Sequence, residues 1–211
     1  MKVPGKFPLF ILVGLAACTW VAVAVGVYGT KPDVGFFRPM GVVTVVLATG
    51  LAAYDRWLWR IPGFALAHGI SNLNGTWIGE LRKISPDNAG KSTRRPKPVA
   101  MVVHQTYTAL SLRMFTSESG SVSVAAGLSL ESDGGVFVTY VYRNDPRLAV
   151  QDKSRVHLGG ARLALRGNGD VLEGAYWTDR DSKGEITLRR VSRKRALDLE
   201  SAQKLGPLPT T

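Results

Sequence analysis

The chain has 211 residues, room for one domain and an appendage, and carries 27 Lys and Arg against 16 Asp and Glu, a net charge of +11. Its single cysteine excludes an internal disulfide, and the three histidines, His68, His104 and His157, are scattered without metal-ligand spacing. Nothing resembles a nucleophile elbow or a paired-carboxylate site, so neither enzymatic activity nor a cofactor is expected.

The chain opens with an uncharged run from Phe7 to Thr30, 24 residues between Lys6 and Lys31. A bilayer core of about 30 Å needs roughly 20 apolar residues in a helix, which this run supplies. A second uncharged run, Pro39 to Tyr54, continues through Trp57, Leu58 and Trp59 with only Asp55 and Arg56 intervening. It spans if Phe36–Phe37 and Trp57–Trp59 sit at the interface, where aromatic belts are favoured. Lys31, Pro32, Asp33 and Gly35 give the link turn chemistry. The pattern predicts a transmembrane helical hairpin over 1–62, with helices at about 8–29 and 38–59. A cleaved signal peptide is one rival reading. A lipoprotein signal is another, since Leu15-Ala16-Ala17-Cys18 resembles a lipobox, but the apolar run continues for ten residues past Cys18. Lys2, Lys6, Arg56 and Arg60 flank the helices against Lys31 and Arg38 in the link, which places both termini and the soluble part on the cytoplasmic side of the membrane.

From about Asn72 short alternating segments replace the apolar runs. Residues 73–84 read as a strand, 85–98 as a long basic loop, and 99–116 as one bent strand or two. Segments 121–131, 136–142, 154–165, 170–178 and 185–191 follow, joined by hairpin-type connectors such as Ser132-Asp133-Gly134-Gly135 and Gly167-Asn168-Gly169-Asp170. Seven or eight antiparallel strands without a helix among them predict a small closed β-barrel over 63–192, since closure removes exposed edges. The tail over 193–211 starts very basic, allows a helix from about Lys194 to Leu205, and is expected to end flexible.

Alternation identifies faces. Leu172, Gly174, Tyr176, Thr178 and Arg180 share one face, apolar at one end and polar at the other. Tyr140, Tyr142 and Asn144 show the same gradient, and His157, Gly159, Ala161 and Leu163 run in the opposite sense. Glycine, alanine and aromatics on one face suit a tapering barrel interior. Arg180 then points inward near a mouth, or is a solvated rim residue or half of an ion pair with Asp179. Trp77, between Gly75 and Gly79, reads as a plug at a closed end. Gly90-Lys91-Ser92 lacks Walker spacing and a following helix. Residues 63–211 hold 21 Lys and Arg against 14 Asp and Glu, which favours anionic lipid or a phosphate-bearing ligand over long nucleic acid.

The segments "LNGTWIGELRK", "VVHQTYTALSLRMFTSESGSVS", "VTYVYRNDP", "HLGGARLAL" and "LEGAYWTDRDSKGEI", following two membrane helices, resemble the two-transmembrane, β-strand-rich (SMODS-associating) effectors of bacterial CBASS anti-phage operons. The resemblance covers about residues 8–190. It implies an eight-stranded barrel that binds a cyclic dinucleotide, self-associates on binding, and disrupts the lipid bilayer to kill the infected cell. Matching segments gives the candidate ligand-binding residues as Arg180, Thr178, Tyr176, Tyr142, Tyr140, Gln105, Trp77 and His157. The competing reading is a passive membrane-anchored barrel that serves as a scaffold or holds a lipid.

Overall fold

The computed structural model describes residues 7–29, 40–64, 69–84, 96–152 and 154–206. The link over 30–38 and most of the basic loop over 85–98 lie outside these residues, as do 207–211. The chain divides after Ile70 into a helical unit and a barrel unit.

In the helical unit, α1 runs Phe7–Tyr28 and α2 Met40–Arg56. The two pack side by side, with Ala24 and Val43 buried. Gly50 faces Leu15, whose Cδ2 lies 3.4 Å from where a Cβ on Gly50 would stand. The second helix ends at Arg56, short of the expected Trp59, because Trp57 leaves helical geometry (φ −135°, ψ −49°) and a 3-10 turn, Leu58–Arg60, follows. In α1 the described side chains cover only 13–26, and α2 has 17 residues. Among the described residues, no helix is long and apolar enough to cross a membrane.

The barrel unit holds eight strands: β1 Gly75–Ile84, β2 Lys97–Gln105, β3 Leu110–Phe115, β4 Ser119–Leu130, β5 Val136–Pro146, β6 His157–Arg166, β7 Val171–Thr178 and β8 Lys183–Ser192. Each pairs antiparallel with its sequence neighbours, and β1 pairs with β8 to close the barrel. Residues 99–116 are two strands. Their turn closes through Thr106 N donating to Ala109 O (2.8 Å) and Ala109 N donating to Thr106 Oγ1 (3.1 Å).

The period of two sorts the side chains as alternation predicts. Trp77, Val99, Met101, Val103, Leu112, Val138, Tyr140, Leu163, Leu172, Ile186 and Leu188 all point inward and form one core. Glycine lets the small barrel coil and makes room for rings. A Cβ on Gly79 would stand 1.8 Å from Thr187 O, and one on Gly159 would stand 2.4 Å from Tyr142 Cζ.

After β8 the chain folds back on the barrel's outer wall. Thr76 Oγ1 donates to Lys194 O (2.7 Å) and accepts from Ala196 N (2.9 Å). Ala196 and Ala202 then cover Ile78, Ala100 and Val102. The helix expected from Lys194 is only α3, Leu199–Gln203, because Asp198 and Ser201 form a capping box that fixes its start.

Candidate functional site

An up-and-down barrel has two ends, and here they differ in chemistry. At the end where the chain enters, Trp77 is fully buried and its indole Nε1 donates to Leu73 O at 2.9 Å. The Arg190 guanidinium lies 4.8 Å over the same ring and donates to Asn72 O (2.6 Å) and to Gly169 O. Gln105 ties down the entering segment: its Oε1 accepts from Leu73 N (2.7 Å), and its Nε2 donates to Ser71 O (3.1 Å). This end is filled by the chain itself.

The other end is polar. Asn144 at the close of β5 pairs with Ser121 of β4 on one side and His157 of β6 on the other. All three side chains are buried and share the inner face. One level deeper lies Tyr142, whose ring covers Gly159. Below it Tyr140 and Tyr176 flank Ala161. The Tyr140 and Tyr142 rings stand 5.8 Å apart.

The hairpin tip between β7 and β8 stands at this end, bonded to the start of β6 and to Ser154. Thr178 N donates to Ser182 O (2.9 Å), and Thr178 Oγ1 accepts from Arg180 N and Ser182 N (3.3 Å each). Asp181 takes a left-handed conformation, φ 52°, to complete the turn. Asp179 does not pair with Arg180. Its carboxylate accepts from Leu158 N (3.0 Å), while Asp179 N donates to Leu158 O (3.0 Å), so the tip is clasped to β6. Arg180 turns instead toward Ser154 Oγ, 3.3 Å from its Nη2, with His157 Nε2 at 3.5 Å. His157 Nδ1 faces Arg155 O at 3.0 Å, so Nδ1 carries the proton and Nε2 presents a lone pair to the guanidinium.

Burial pushes the Tyr142 hydroxyl pKa up to about 12, with Tyr176 and Asp179 acting in the same direction and Arg180 against it. Burial also raises Tyr176, and raises Tyr140 further. At neutral pH all three are intact hydrogen-bond donors. Tyr140 is 3% exposed, and its hydroxyl finds no hydrogen-bonding partner among the described residues.

The eight candidate residues therefore fall into two groups. Arg180, Thr178, Tyr176, Tyr142, Tyr140 and His157 converge on the polar end, where the Thr178 hydroxyl is engaged by the tip itself. Trp77 and Gln105 sit at the opposite end with their polar groups bonded to residues 71–74. The candidate set omits Ser121, Asn144 and Ser154 from the polar end. For Asn144 the signal was present, as the polar terminus of the Tyr140–Tyr142 alternation. A separate concavity of about 650 Å³ lies on the outer wall of β5–β8. Its Arg162 is paired with Glu131 and stacked on Phe137, and its Arg166 is paired with Glu173.

Residues 69–190, more than half the chain and spanning all eight strands, match the family model described as Cap15, cyclic dinucleotide receptor domain. The chain belongs to the Cap15 family. It is also similar to CD-NTase-associated protein 15 of Staphylococcus schleiferi, 21% identical over 194 residues that cover 90% of this chain and 95% of that protein. The match to that Cap15 relative extends beyond the barrel into the helical unit. The Cap15 model ends at Arg190, two residues before β8 does, so the packed tail lies outside it.

Proposed function

We propose that this chain is a CBASS effector whose barrel binds a cyclic dinucleotide at its polar end, and whose helical unit anchors it in the bacterial inner membrane and disrupts that membrane on self-association. One observation carries the reading. The inner face at the polar end brings Tyr140, Tyr142, Tyr176, Ser121 and Asn144 together beside Arg180, and the Tyr140 hydroxyl has no hydrogen-bonding partner among the described residues. An acyl chain has no use for those groups. A dinucleotide ring has bases to stack on tyrosine, at about 1–3 kcal/mol per base, and phosphates for an arginine fork. The two arginines of the outer concavity are already paired, Arg162 with Glu131 and Arg166 with Glu173, so we place the site at the mouth.

The membrane part rests on α1 and α2. By sequence the 22 residues of α1 carry no Asp, Glu, Lys or Arg, and at 1.5 Å per residue they reach about 33 Å, against about 30 Å of hydrocarbon. At the end of α2 Arg56 lies over Trp57, and just beyond it Arg60 lies over Trp59, the residue types that anchor helices at an interface. Residues 2–60 then set the cytoplasmic orientation of the barrel, and ligand acts by favouring an associated state over a dispersed one.

The test is dye release from liposomes of anionic phospholipid carrying the full chain. Cyclic dinucleotide should release dye from the parent, while linear dinucleotide should not. Arg180→Ala should raise the concentration needed by at least about tenfold, the worth of one charge-assisted bond of about 1.5–3 kcal/mol. Release that is absent despite bound ligand would remove the membrane half of the proposal.

A further inference from the structure

The barrel wall has one weak seam. The β3–β4 ladder covers only Arg113–Phe115 against Gly120–Val122. It stops where Leu112 N donates to the Ser123 hydroxyl (2.9 Å) in place of a backbone carbonyl, beside the irregularity between Ser123 and Ala125 in the β4–β5 pairing. Beyond that point β4 runs on to Leu130, paired with β5 on one side and with no described strand on the other. Every second residue of 124–130 therefore presents its N–H and C=O to the open side. Natural edges are usually guarded by lysine, proline, inward charge or a bulge. Apart from the irregularity between Ser123 and Ala125, where the open stretch begins, this one, Ser-Gly-Ser-Val-Ser-Val-Ala-Ala-Gly-Leu-Ser-Leu over β4, has none of these in a chain of net charge +11. Val124 is 63% and Leu130 46% exposed, while Ala126 and Leu128 are seated on the core.

We infer that the free edge of β4, residues 124–130, pairs antiparallel with the same edge of a second copy of this chain. A two-fold axis gives each open backbone group a counterpart in an identical strand. It also opposes no like charges: in a pairing centred on Gly127, Glu131 faces Ser123. Small residues at Ala125, Gly127 and Ser129 let the strands approach, and a charged peptide would find no partner on this edge. The role of the pairing in membrane disruption rests on the proposed function; the pairing itself rests on the strand geometry.

The experiment uses the full chain in mild detergent with Cys18→Ser and one new cysteine at a time: Ala125→Cys, Gly127→Cys or Ser129→Cys, with Thr187→Cys on the outer face of β8 as control. A Cβ at Gly127 meets nothing within 4 Å, so that variant should fold. Facing Cβ atoms in an antiparallel pair lie about 4.5–5.5 Å apart, within disulfide reach once the strands adjust. Oxidation is run with and without a panel of cyclic dinucleotides, with binding measured in parallel. We expect at least one edge position to give about tenfold more covalent dimer than Thr187→Cys, and Val124→Lys with Ser129→Lys to abolish it. Equal yields at the edge and the control, or undiminished dimer in the double-lysine chain, would overturn the inference. Edge cross-linking with no nucleotide bound would uphold the pairing and remove the ligand reading. Bound nucleotide with no edge cross-linking would do the reverse.

Discussion

Trp77→Ala should destabilise the barrel by about 3–5 kcal/mol, the cost of emptying a fully buried aromatic site. Domains of this kind hold about 5–15 kcal/mol in all, so the variant should unfold in urea far below the parent or fail to accumulate. Three losses combine. The ring fills the barrel interior among Leu73, Val103 and Leu172, its Nε1 satisfies the buried Leu73 carbonyl, and its face supports the Arg190 guanidinium. The last two explain why Trp77→Phe should recover only part of the loss. It restores most of the volume but leaves the Leu73 carbonyl without its donor, at about 1–3 kcal/mol. Urea unfolding followed by far-UV circular dichroism checks both variants. A loss below about 1 kcal/mol for Trp77→Ala would mean that the plugged end is not a structural core.

Tyr140→Phe should separate stability from function. Because the buried hydroxyl makes no hydrogen bond among the described residues, its removal should take nothing from the fold. The variant should be at least as stable as the parent, with a gain of up to about 1–3 kcal/mol if the hydroxyl is paying an uncompensated desolvation cost. Cyclic dinucleotide affinity should fall by about tenfold, the value of one hydrogen bond of about 1.4 kcal/mol. A more stable, weaker-binding protein is the opposite of what truncating a core residue does, so the pair of signs is diagnostic. Thermal unfolding and calorimetry on the same preparation check it. A destabilised variant with unchanged affinity would make Tyr140 a structural residue.

Much of this geometry is legible in the amino-acid order. The glycine and tyrosine alternation in 140–144, 157–163 and 172–178 identifies the inner face, because only one face of each strand has to meet a narrow core. What a single strand cannot reveal is the end of the barrel to which its polar terminus belongs. In an up-and-down barrel the strand ends alternate between the two mouths, so that assignment depends on the parity of the strand count. Residues 99–116 read as one strand or two, since Thr106-Tyr107-Thr108-Ala109 carries no Gly, Pro or Asn to mark a turn. The turn is made by the Thr106 hydroxyl and backbone. With two strands there, Gln105 falls beside Trp77 and away from Thr178. The charged tip, Thr178-Asp179-Arg180, also has a structural purpose that composition does not show: Asp179 clasps β6, which frees Arg180 to face Ser154 and His157. The tail offers a helix over 194–205 by propensity, but the Thr76 hydroxyl bonds to the Lys194 and Ala196 backbone in a non-helical segment, and the helix starts only at Leu199.

The most direct test of the central claim is isothermal calorimetry of the full chain in mild detergent against a panel of cyclic dinucleotides, with linear dinucleotides as controls and Arg180→Ala alongside. The account predicts saturable binding of at least one cyclic species, none of the linear ones, and weaker binding by the variant, whose barrel remains folded by circular dichroism. No binding across the panel by a folded parent, or equal binding by Arg180→Ala, would contradict it.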